Sequence, residues 1–304
     1  MSVELESVSK IYGTQKALDG ISITVNSGEI VGILGPNGAG KSTMMKIITG
    51  FLHPESGIAK VNGLVVGEHS LEIRRQIGYL PENNPLYTDL YIAEYLEYVA
   101  GIYRLDSVQS RVKEMIGLTG LELEKHKKIG ALSKGYRQRV GIAQALIHDP
   151  SVLILDEPTS GLDPSQLVEI RQLIRDVSAK KTVMLSTHIM QEVEALCDRI
   201  MILDHGKIVA TDSPSNIKSM ATSHSQKIFV EFAETVNQEK LSEIKEIKEL
   251  KQISETTWLI TGGEKDLRPV IFKFAVVNKL TILTLNKQES TLENIFLEIT
   301  GAKR

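Results

Sequence analysis

The stretch Gly35-Pro36-Asn37-Gly38-Ala39-Gly40-Lys41-Ser42-Thr43 decides the fold of this chain. It matches the pattern G-x-x-x-x-G-K-[ST] of the phosphate-binding P-loop, in which glycines let backbone N–H groups turn inward towards an anion. The lysine supplies a mobile positive charge for the outer phosphates, and the serine hydroxyl is offered to Mg²⁺. An apolar run at 29–34 and a helix-compatible run at 43–48 flank the stretch. We therefore expect a buried strand, the loop, and a helix whose N-terminus faces the phosphates. The alternative, a glycine-rich turn without a ligand, leaves these flanks unexplained.

Composition narrows the class of protein. The 304 residues are 42% hydrophobic and 24% charged, which allows a sizeable core and about two domains. The net charge of −3 gives no electrostatic reason to expect nucleic acid or an anionic membrane surface as a partner. Cys197 is the single cysteine, so an intrachain disulfide is excluded, and we interpret it as a small core residue. No apolar run reaches the roughly 18 residues of a membrane span, and the acidic N-terminus lacks a signal-peptide core. These features predict a cytosolic protein, or one attached to a membrane only through a partner.

Hydrophobic periodicity divides the first two thirds of the chain into three parts. The first 25 residues predict strands, and Val61-Asn62-Gly63-Leu64 predicts a hairpin, which together indicate an added antiparallel portion. A helical insert is predicted over 88–131, because apolar residues there recur at helical spacing, at Ile92, Tyr95, Leu96 and Val99. From residue 152 to residue 203, strands alternate with helices, which predicts a largely parallel sheet.

A second, smaller unit is predicted after a short helix from Ser213 and a polar hinge at 221–225. The domains are therefore expected at 1–220 and 222–304. In the second, the order β-α-β-β-α-β is similar to a split βαβ sandwich, with a helix over Lys265–Val277. A last helix would open with a capping box of Ser290 and Glu293 and present an apolar face. This small α+β domain has no recognisable site, so dimer contact or regulation is its predicted role, with cargo binding as the alternative.

Two acids end an apolar strand, as a P-loop requires for its metal. The strand Val152–Leu155 is followed by Asp156 and Glu157. Asp156 would hold Mg²⁺ through water. Glu157, pointing elsewhere in an alternating strand, would orient or deprotonate the attacking water. The alternative is a strand that simply ends in solvated acids.

With these motifs the chain resembles the ATP-binding subunits of ABC transporters over roughly residues 1–220. Further motifs follow in that family's order: the adenine-stacking Tyr12, the signature Leu132-Ser133-Lys134-Gly135-Tyr136, the D-loop Ser160-Gly161-Leu162-Asp163 and the switch histidine His188. The resemblance implies an α/β P-loop NTPase cassette that binds ATP and Mg²⁺ and hydrolyses ATP.

The resemblance also implies that two copies sandwich two ATP molecules. Ser133 and the backbone at Gly135, placed ahead of a helix, would bind the γ-phosphate of ATP held by the other copy. Asp163 would cross the dimer interface, and His188 would contact the γ-phosphate. Tyr12 would stack on the adenine.

The chain departs from the family pattern at three positions. Glu82 stands where the family usually has glutamine; a carboxylate can still ligate Mg²⁺, so Glu82 is included among the catalytic and metal-binding residues. Lys134 replaces the first glycine of the signature and Tyr136 its final glutamine. The Lys134 side chain has two possible roles at this stage: it binds phosphate, or it is simply solvated. We expect ATPase activity to tolerate these departures.

The stretch from Gly78 to Tyr87 resembles ATPase subunits of ABC-2-type exporters, particularly bacterial ones associated with gliding motility or multidrug export, and 290–298 is similar to the tail extension of that group. The resemblance implies an integral membrane permease as partner, a homodimer, no nucleic acid, and a peripheral position on the cytoplasmic side of the inner membrane. The helical insert, including Tyr95 and Tyr98, would pass the motion of the cassette to the permease.

Two other functions fit this sequence less well. A soluble ABC ATPase acting on ribosomes or DNA would usually carry two cassettes, or long coiled coils between the halves of its site, and this chain has one cassette with Asp156 soon after Lys41. A non-hydrolysing regulatory subunit is disfavoured because Lys41, Asp156, Glu157 and His188 are all intact.

Overall fold

The computed structural model describes residues 1–222, 226–263, 265–288 and 292–300. Its strands, in chain order, are β1 Val3–Tyr12, β2 Gln15–Val25, β3 Ile30–Leu34, β4 Ser56–Val61, β5 Leu64–Val65, β6 Ile77–Leu80, β7 Val152–Asp156, β8 Thr182–Thr187, β9 Arg199–Asp204, β10 Lys207–Asp212, β11 Gln226–Phe232, β12 Ile247–Gln252, β13 Thr257–Gly262 and β14 Ile282–Gln288. Its helices are α1 Lys41–Ile48, α2 Ser70–Gln76, α3 Ile92–Ile102, α4 Val108–Leu118, α5 Lys134–Leu146, α6 Pro164–Ser178, α7 Met190–Leu196, α8 Pro214–Thr222, α9 Gln238–Ser242, α10 Arg268–Val277 and α11 Leu292–Thr300. In the described part of the chain, none of these helices is long and apolar enough to cross a membrane.

The chain divides into two compact units, Met1–Pro214 and Ser215–Arg304. The division therefore lies at the start of α8, some residues before the hinge that the sequence suggested. Of that hinge, residues 223–225 lie outside the described residues.

The centre of the first unit is a six-stranded sheet in the order β10-β9-β3-β8-β7-β6. β9, β3, β8, β7 and β6 run parallel, as the alternation of strands and helices predicted. β3, β7 and β8 are buried along their whole length, because helices cover a parallel sheet on both faces. β10 was not predicted. It pairs antiparallel with β9 across a two-residue turn in which both His205 and Gly206 have positive φ.

A second sheet in this unit, in the order β2-β1-β4-β5, is antiparallel. The predicted Asn-Gly hairpin is confirmed, since Val61 pairs with Leu64. Asn62 has a φ of 48° and Gly63 a φ of 81°. Two successive positive φ values are what a tight hairpin turn needs to match the twist of its strands.

The predicted amphipathic helix of the insert is confirmed by α3, which is followed by α4. All four apolar positions that predicted the helix are buried: Ile92, Tyr95, Leu96 and Val99. Tyr95 and Tyr98, which were both expected to pass motion to the permease, differ in their exposure to solvent. Tyr95 lies in the core, whereas Tyr98 is 50% exposed and packs against Tyr87.

His148, just after α5, joins the insert to the parallel sheet. Its ring stacks on Tyr103 with ring centres 3.9 Å apart, and its Nε2 donates to the Ile77 carbonyl oxygen at 3.0 Å. Its Nδ1 is buried without a hydrogen-bond partner among the described residues. Burial lowers the pKa of His148 to about 4, and the Ile77 carbonyl opposes that shift only in part.

We expect His148 to make stability fall as pH drops from about 6.5 to about 4. In this window the unfolded chain binds a proton at His148 that the folded chain does not, so acidification favours unfolding. The loss is at most about 3–4 kcal/mol, from about 1.4 kcal/mol per pKa unit. Urea unfolding at several pH values checks it. His148→Phe keeps an aromatic ring against Tyr103 and should flatten this slope, and parallel curves for the two proteins would contradict the expectation.

The second unit has the predicted order β-α-β-β-α-β, formed by β11, α9, β12, β13, α10 and β14. Its antiparallel sheet has the order β12-β13-β11-β14. The alternating residues of β11 and the single tryptophan point into one core, which contains Ile228, Val230, Phe232 and Trp258. The split βαβ sandwich and the core position of Trp258 are therefore confirmed.

At the ends of this unit's helices, one prediction differs from the structure and another concerns a residue outside the described part of the chain. The helix predicted from Lys265 begins at Arg268, because Asp266 accepts a hydrogen bond from the Arg268 N–H and Pro269 occupies the first turn. Ser290 of the predicted capping box lies outside the described residues. The apolar face of α11 is confirmed where it is described, at Leu292, Ile295 and Phe296.

Candidate functional site

The predicted strand, loop and helix are all present around the P-loop, as β3, residues 35–40 and α1. The loop lies directly on β2, and only glycine fits at the contact. Gly40 has a φ of 110°, and a Cβ atom there would lie 2.3 Å from the Ala17 carbonyl oxygen. Gly38, with a φ of 82°, turns the chain before it. The two glycines therefore bring the loop N–H groups to the start of α1.

Lys41 is held inside the loop. Its side chain is 7% exposed, and Nζ donates to the carbonyl oxygens of Gly35 at 2.8 Å and Pro36 at 3.2 Å. Burial lowers the pKa of this lysine, while the charges of Glu157, Asp156 and Glu82 act in the opposite direction. The ammonium group thus shares with three carboxylates the cavity in which an anion would bind.

Asp156 and Glu157 both face this region, which differs from the prediction that strand alternation would turn them apart. β7 ends at Asp156, whose Oδ1 accepts from Ser186 Oγ at 2.5 Å. Glu157 has a φ of 52° and so leaves the strand in the left-handed conformation. Its N–H donates to the Ser186 side-chain and main-chain oxygens. The turn, and not the pleat of the strand, sets the direction of Glu157.

Glu157 and His188 form a pair, with His188 Nδ1 2.9 Å from Glu157 Oε2. Burial raises the pKa of Glu157, and the neighbouring His188 and Lys41 partly oppose this. A raised pKa makes a carboxylate a better proton acceptor, which suits a general base. The two residues come from the ends of adjacent parallel strands, so the sheet itself brings them together.

These residues line one cavity of about 750 Å³, a size typical of small-molecule sites. The cavity is lined by Tyr12, Gln15, Ala17, Asn37, Gly38, Gly40, Lys41, Ser42, Thr43, Glu82, Asp156, Glu157, Ser160 and His188. Tyr12, predicted to stack on adenine, is 48% exposed at its rim. Gln15 and Ala17 were not predicted. The only feature of the sequence that could have predicted them is their closeness in the chain to Tyr12. They reach the cavity because β2 runs back along β1 and under the loop.

Three predicted ATP-binding residues of the signature and D-loop, Ser133, Gly135 and Asp163, lie outside the described lining of this cavity, whereas Ser160 of the D-loop lines it. Ser133 caps α5 by accepting from the Tyr136 N–H at 3.3 Å. Gly135 lies within the first turn of α5 and not ahead of the helix, which corrects the prediction. Asp163 caps α6 by accepting from the Gln166 N–H at 2.9 Å. Within one chain these residues start helices.

Lys134, the unusual residue of the signature, lies against the D-loop. Gly161 has a φ of 69°, and a Cβ atom added to it would lie 2.3 Å from Lys134 Nζ. The left-handed backbone favours glycine at 161, whereas the flexible end of the lysine could move aside.

The oxygen groups in the cavity fit Mg²⁺. Ser42, Asp156 and Glu82, predicted to hold it, all line the cavity. Mg²⁺ prefers oxygen ligands and is usually bound by one or two carboxylates together with substrate phosphates. Within the described residues, no three His, Cys, Asp or Glu side chains are grouped closely enough to hold a metal unaided. The donor set therefore suits a metal that arrives with a phosphate ligand.

Comparison with known proteins agrees with this site. A family profile described as "ABC transporter" matches residues 18–160. The chain is 33% identical to the Nod factor export ATP-binding protein I of Rhizobium sp. (strain N33), over 99% of this chain and 97% of that protein. It is 32% identical to the linearmycin resistance ATP-binding protein LnrL of Bacillus subtilis (strain 168), over 98% of both.

Solved structures agree as well. An ATP-binding subunit of an ABC transporter matches with a TM-score of 0.66 and 32% identity, over 73% of this chain and 93% of that one. A dimeric, post-hydrolysis ATP-binding cassette bound to ADP and Pi matches with a TM-score of 0.64 and 29% identity, over 69% of this chain and 98% of that one.

The chain therefore belongs to the family of ABC transporter ATP-binding subunits. It has the predicted P-loop NTPase cassette fold, it binds adenine nucleotides, and it is an ATPase. The relatives that match its whole length include ATPase subunits of ABC-2-type exporters, as the sequence predicted. The narrower association with gliding motility stays a prediction.

Proposed function

We propose that this subunit dimerises on ATP and, by hydrolysing it, powers a separate membrane-spanning exporter. The contact between His188 and Glu157, in the same cavity as the P-loop lysine, carries the hydrolytic part of the proposal. The full-length similarity to proteins named for Nod factor export and linearmycin resistance supports export as the direction.

In this proposal the loop and its neighbours bind the nucleotide. The N–H groups of 35–43 and Lys41 hold the phosphates, and Tyr12 stacks on the adenine. Ser42, Asp156 and Glu82 would hold Mg²⁺, which on binding neutralises charge on the phosphates and fixes their position. Ser186 supports this arrangement by donating to Asp156 and accepting from the Glu157 N–H.

Glu157 is the proposed general base. Its carboxylate takes a proton from the attacking water, whose oxygen bonds to the γ-phosphorus as the bond from phosphorus to the ADP oxygen breaks. His188 holds Glu157 Oε2 in place, and its side chain, which is more than half exposed, is accessible to the γ-phosphate. Lys41 stabilises the charge on the phosphoryl oxygens.

A second copy would complete the site. Three residues expected to contact ATP, Ser133, Gly135 and Asp163, lie apart from the cavity within one chain. Exposure of Ser133 and Asp163 leaves them accessible to a partner. The dimeric arrangement of a relative bound to ADP and Pi supports this assembly. Loss of the γ-phosphate would then remove the bridge between the copies.

The helical insert is the proposed contact with the membrane subunit, which would place the protein peripherally on the cytoplasmic side of the inner membrane. Tyr98 and Tyr87 are about half exposed on its surface, and Ile102 is 61% exposed. Tyr95 supports them from the core and is not itself available for contact. For the second unit, shared with the full-length relatives, we propose dimer contact or regulation.

The proposed partner can be captured by purifying tagged Glu157→Gln protein with ATP from its native cells in mild detergent. A polytopic membrane protein that copurifies would support the exporter. The matched control carries Lys41→Met in addition, which should weaken ATP binding and release the partner if association depends on ATP. Copurification of ribosomes or DNA would instead favour a soluble ABC ATPase and overturn the proposal.

A further inference from the structure

Glu192 is a buried carboxylate to which the proposed mechanism gives no part. It lies on α7 and is 1% exposed. Its Oε2 accepts hydrogen bonds from two threonine hydroxyls, Thr187 Oγ1 at 3.1 Å and Thr159 Oγ1. Both threonines are themselves buried, at 0% and 2% exposure. Its Oε1 has no hydrogen-bond partner in the described part of the chain.

The two threonines belong to the two segments that carry the hydrolytic pair. Thr187 is the last residue of β8, directly before His188, and its hydroxyl also accepts from the Ile189 N–H at 3.1 Å. The hydroxyl therefore engages the chain on both sides of the histidine. Thr159 comes two residues after Glu157, and its carbonyl oxygen accepts from the Leu162 N–H. One carboxylate oxygen thus joins both segments.

We propose that Glu192 is a positioning residue, which holds the Thr187–His188 segment against the Glu157–Thr159 segment and so keeps His188 in contact with Glu157. The inference rests on the proposed role of that pair. Hydrogen bonds to a carboxylate are stronger than those between neutral groups, so this link is well suited to fix two chain segments.

A purely structural role for Glu192 is less well matched to its surroundings. Burying a carboxylate away from cations is unfavourable, and an apolar side chain of similar size would fill the same space without that penalty. The arrangement instead uses both hydroxyls that flank the pair. Removing the carboxylate would leave the two hydroxyl hydrogens without their acceptor, and the segments would lose the link that sets their separation.

The test follows the ring nitrogens of His188 by NMR in the full-length, nucleotide-free protein labelled with ¹⁵N-histidine. The chain has 7 histidines, and His188→Gln assigns the resonances of residue 188. Glu157→Ala provides the reference position for a His188 without its partner. Glu192→Leu should move the Nδ1 resonance towards that reference. Glu192→Gln keeps an acceptor oxygen and should remain close to the wild type.

Val193→Ala is the matched control on the same helix. Val193 is buried and packs against β3 at Gly32, so its truncation should lower the thermal midpoint without touching the threonines. The Nδ1 resonance of His188 should then stay at its wild-type position. If Glu192→Leu lowers the midpoint and leaves that resonance unmoved, as in the control, Glu192 is merely structural and the proposal is overturned.

Turnover provides a second measurement. Glu192→Leu should lower kcat for ATP hydrolysis by about tenfold or more, since small misplacements of reacting groups lower rates by up to about 100-fold, and KM for ATP should stay unchanged. Glu192→Gln should restore most of the rate. An equal loss in both variants would count against the link.

Thr159→Val covers the case in which Glu192→Leu does not fold, because it removes one hydroxyl and keeps the shape of the side chain. It should shift the His188 resonance in the same direction, and an unmoved resonance would again overturn the proposal. A wild-type protein without ATPase activity would refute the proposed function. The NMR spectra of His188 would still test whether Glu192 links the two segments.

Discussion

Glu157→Gln is expected to lower kcat for ATP hydrolysis by at least about 1000-fold, within the range that loss of a general base produces. Glutamine keeps the shape of the side chain and its contact with His188, but it cannot take a proton from water at neutral pH. Burial already raises the pKa of this carboxyl group, so the wild-type carboxylate is a stronger base than an exposed one. ATP binding should survive, and the ATP-bound dimer should accumulate.

Phosphate release and light scattering with ATP measure the two parts of this expectation. Glu82→Gln is the matched comparison, because it makes the same chemical change in the same cavity and keeps an oxygen that can ligate Mg²⁺. It should retain more than about a tenth of the wild-type rate. Such a loss is smaller than the loss that removal of one well-placed catalytic acid or base produces. Near-normal hydrolysis by Glu157→Gln would remove Glu157 from the role of base.

Lys41→Met is expected to weaken ATP binding by at least about 100-fold, because hydrogen bonds from a charged donor contribute about 1.5–3 kcal/mol each and this ammonium group can make two or more to phosphates. Methionine has a similar length and no charge. Titration of a fluorescent ATP analogue measures the affinity. Lys46→Met, in the last turn of the same helix and away from the cavity lining, should bind ATP as the wild type does.

The thermal midpoint separates lost binding from lost folding. Burial lowers the pKa of Lys41, which means that the folded protein disfavours the charged form relative to the unfolded chain. Removing the charge should therefore leave the nucleotide-free protein as stable as before, or more stable. A variant that binds ATP normally would contradict the placement of Lys41 at the phosphates.

The sequence was a reliable guide wherever one local pattern decides the structure. The P-loop requires glycine at positions with positive φ, and Asn62-Gly63 requires two such positions in a row, so both could be recognised from residue type alone. The periodicity of α3 and the alternation in β11 likewise identified which side chains are buried. In each case the residues that carry the signal are neighbours in the chain.

Prediction was weaker where residues from distant parts of the chain meet. β10 was missed because its turn, His205-Gly206, is not one of the Asn-Gly or Asp-Gly pairs that mark a tight hairpin in a sequence. Gln15 and Ala17 reach the cavity only because β2 passes under the loop. Glu192 carries no motif, and its contacts with Thr159 and Thr187 exist only once β7, β8 and α7 are packed.

The sequence by itself determined the class of the protein and the chemistry of its cavity, because phosphate binding needs particular residue types at fixed local spacing. Only the tertiary structure decided how those groups face one another. The left-handed turn at Glu157 depends on hydrogen bonds to Ser186 in the neighbouring strand, and His188 reaches Glu157 because β7 and β8 lie side by side. Such directions arise from the packing of distant segments, which local spacing does not encode.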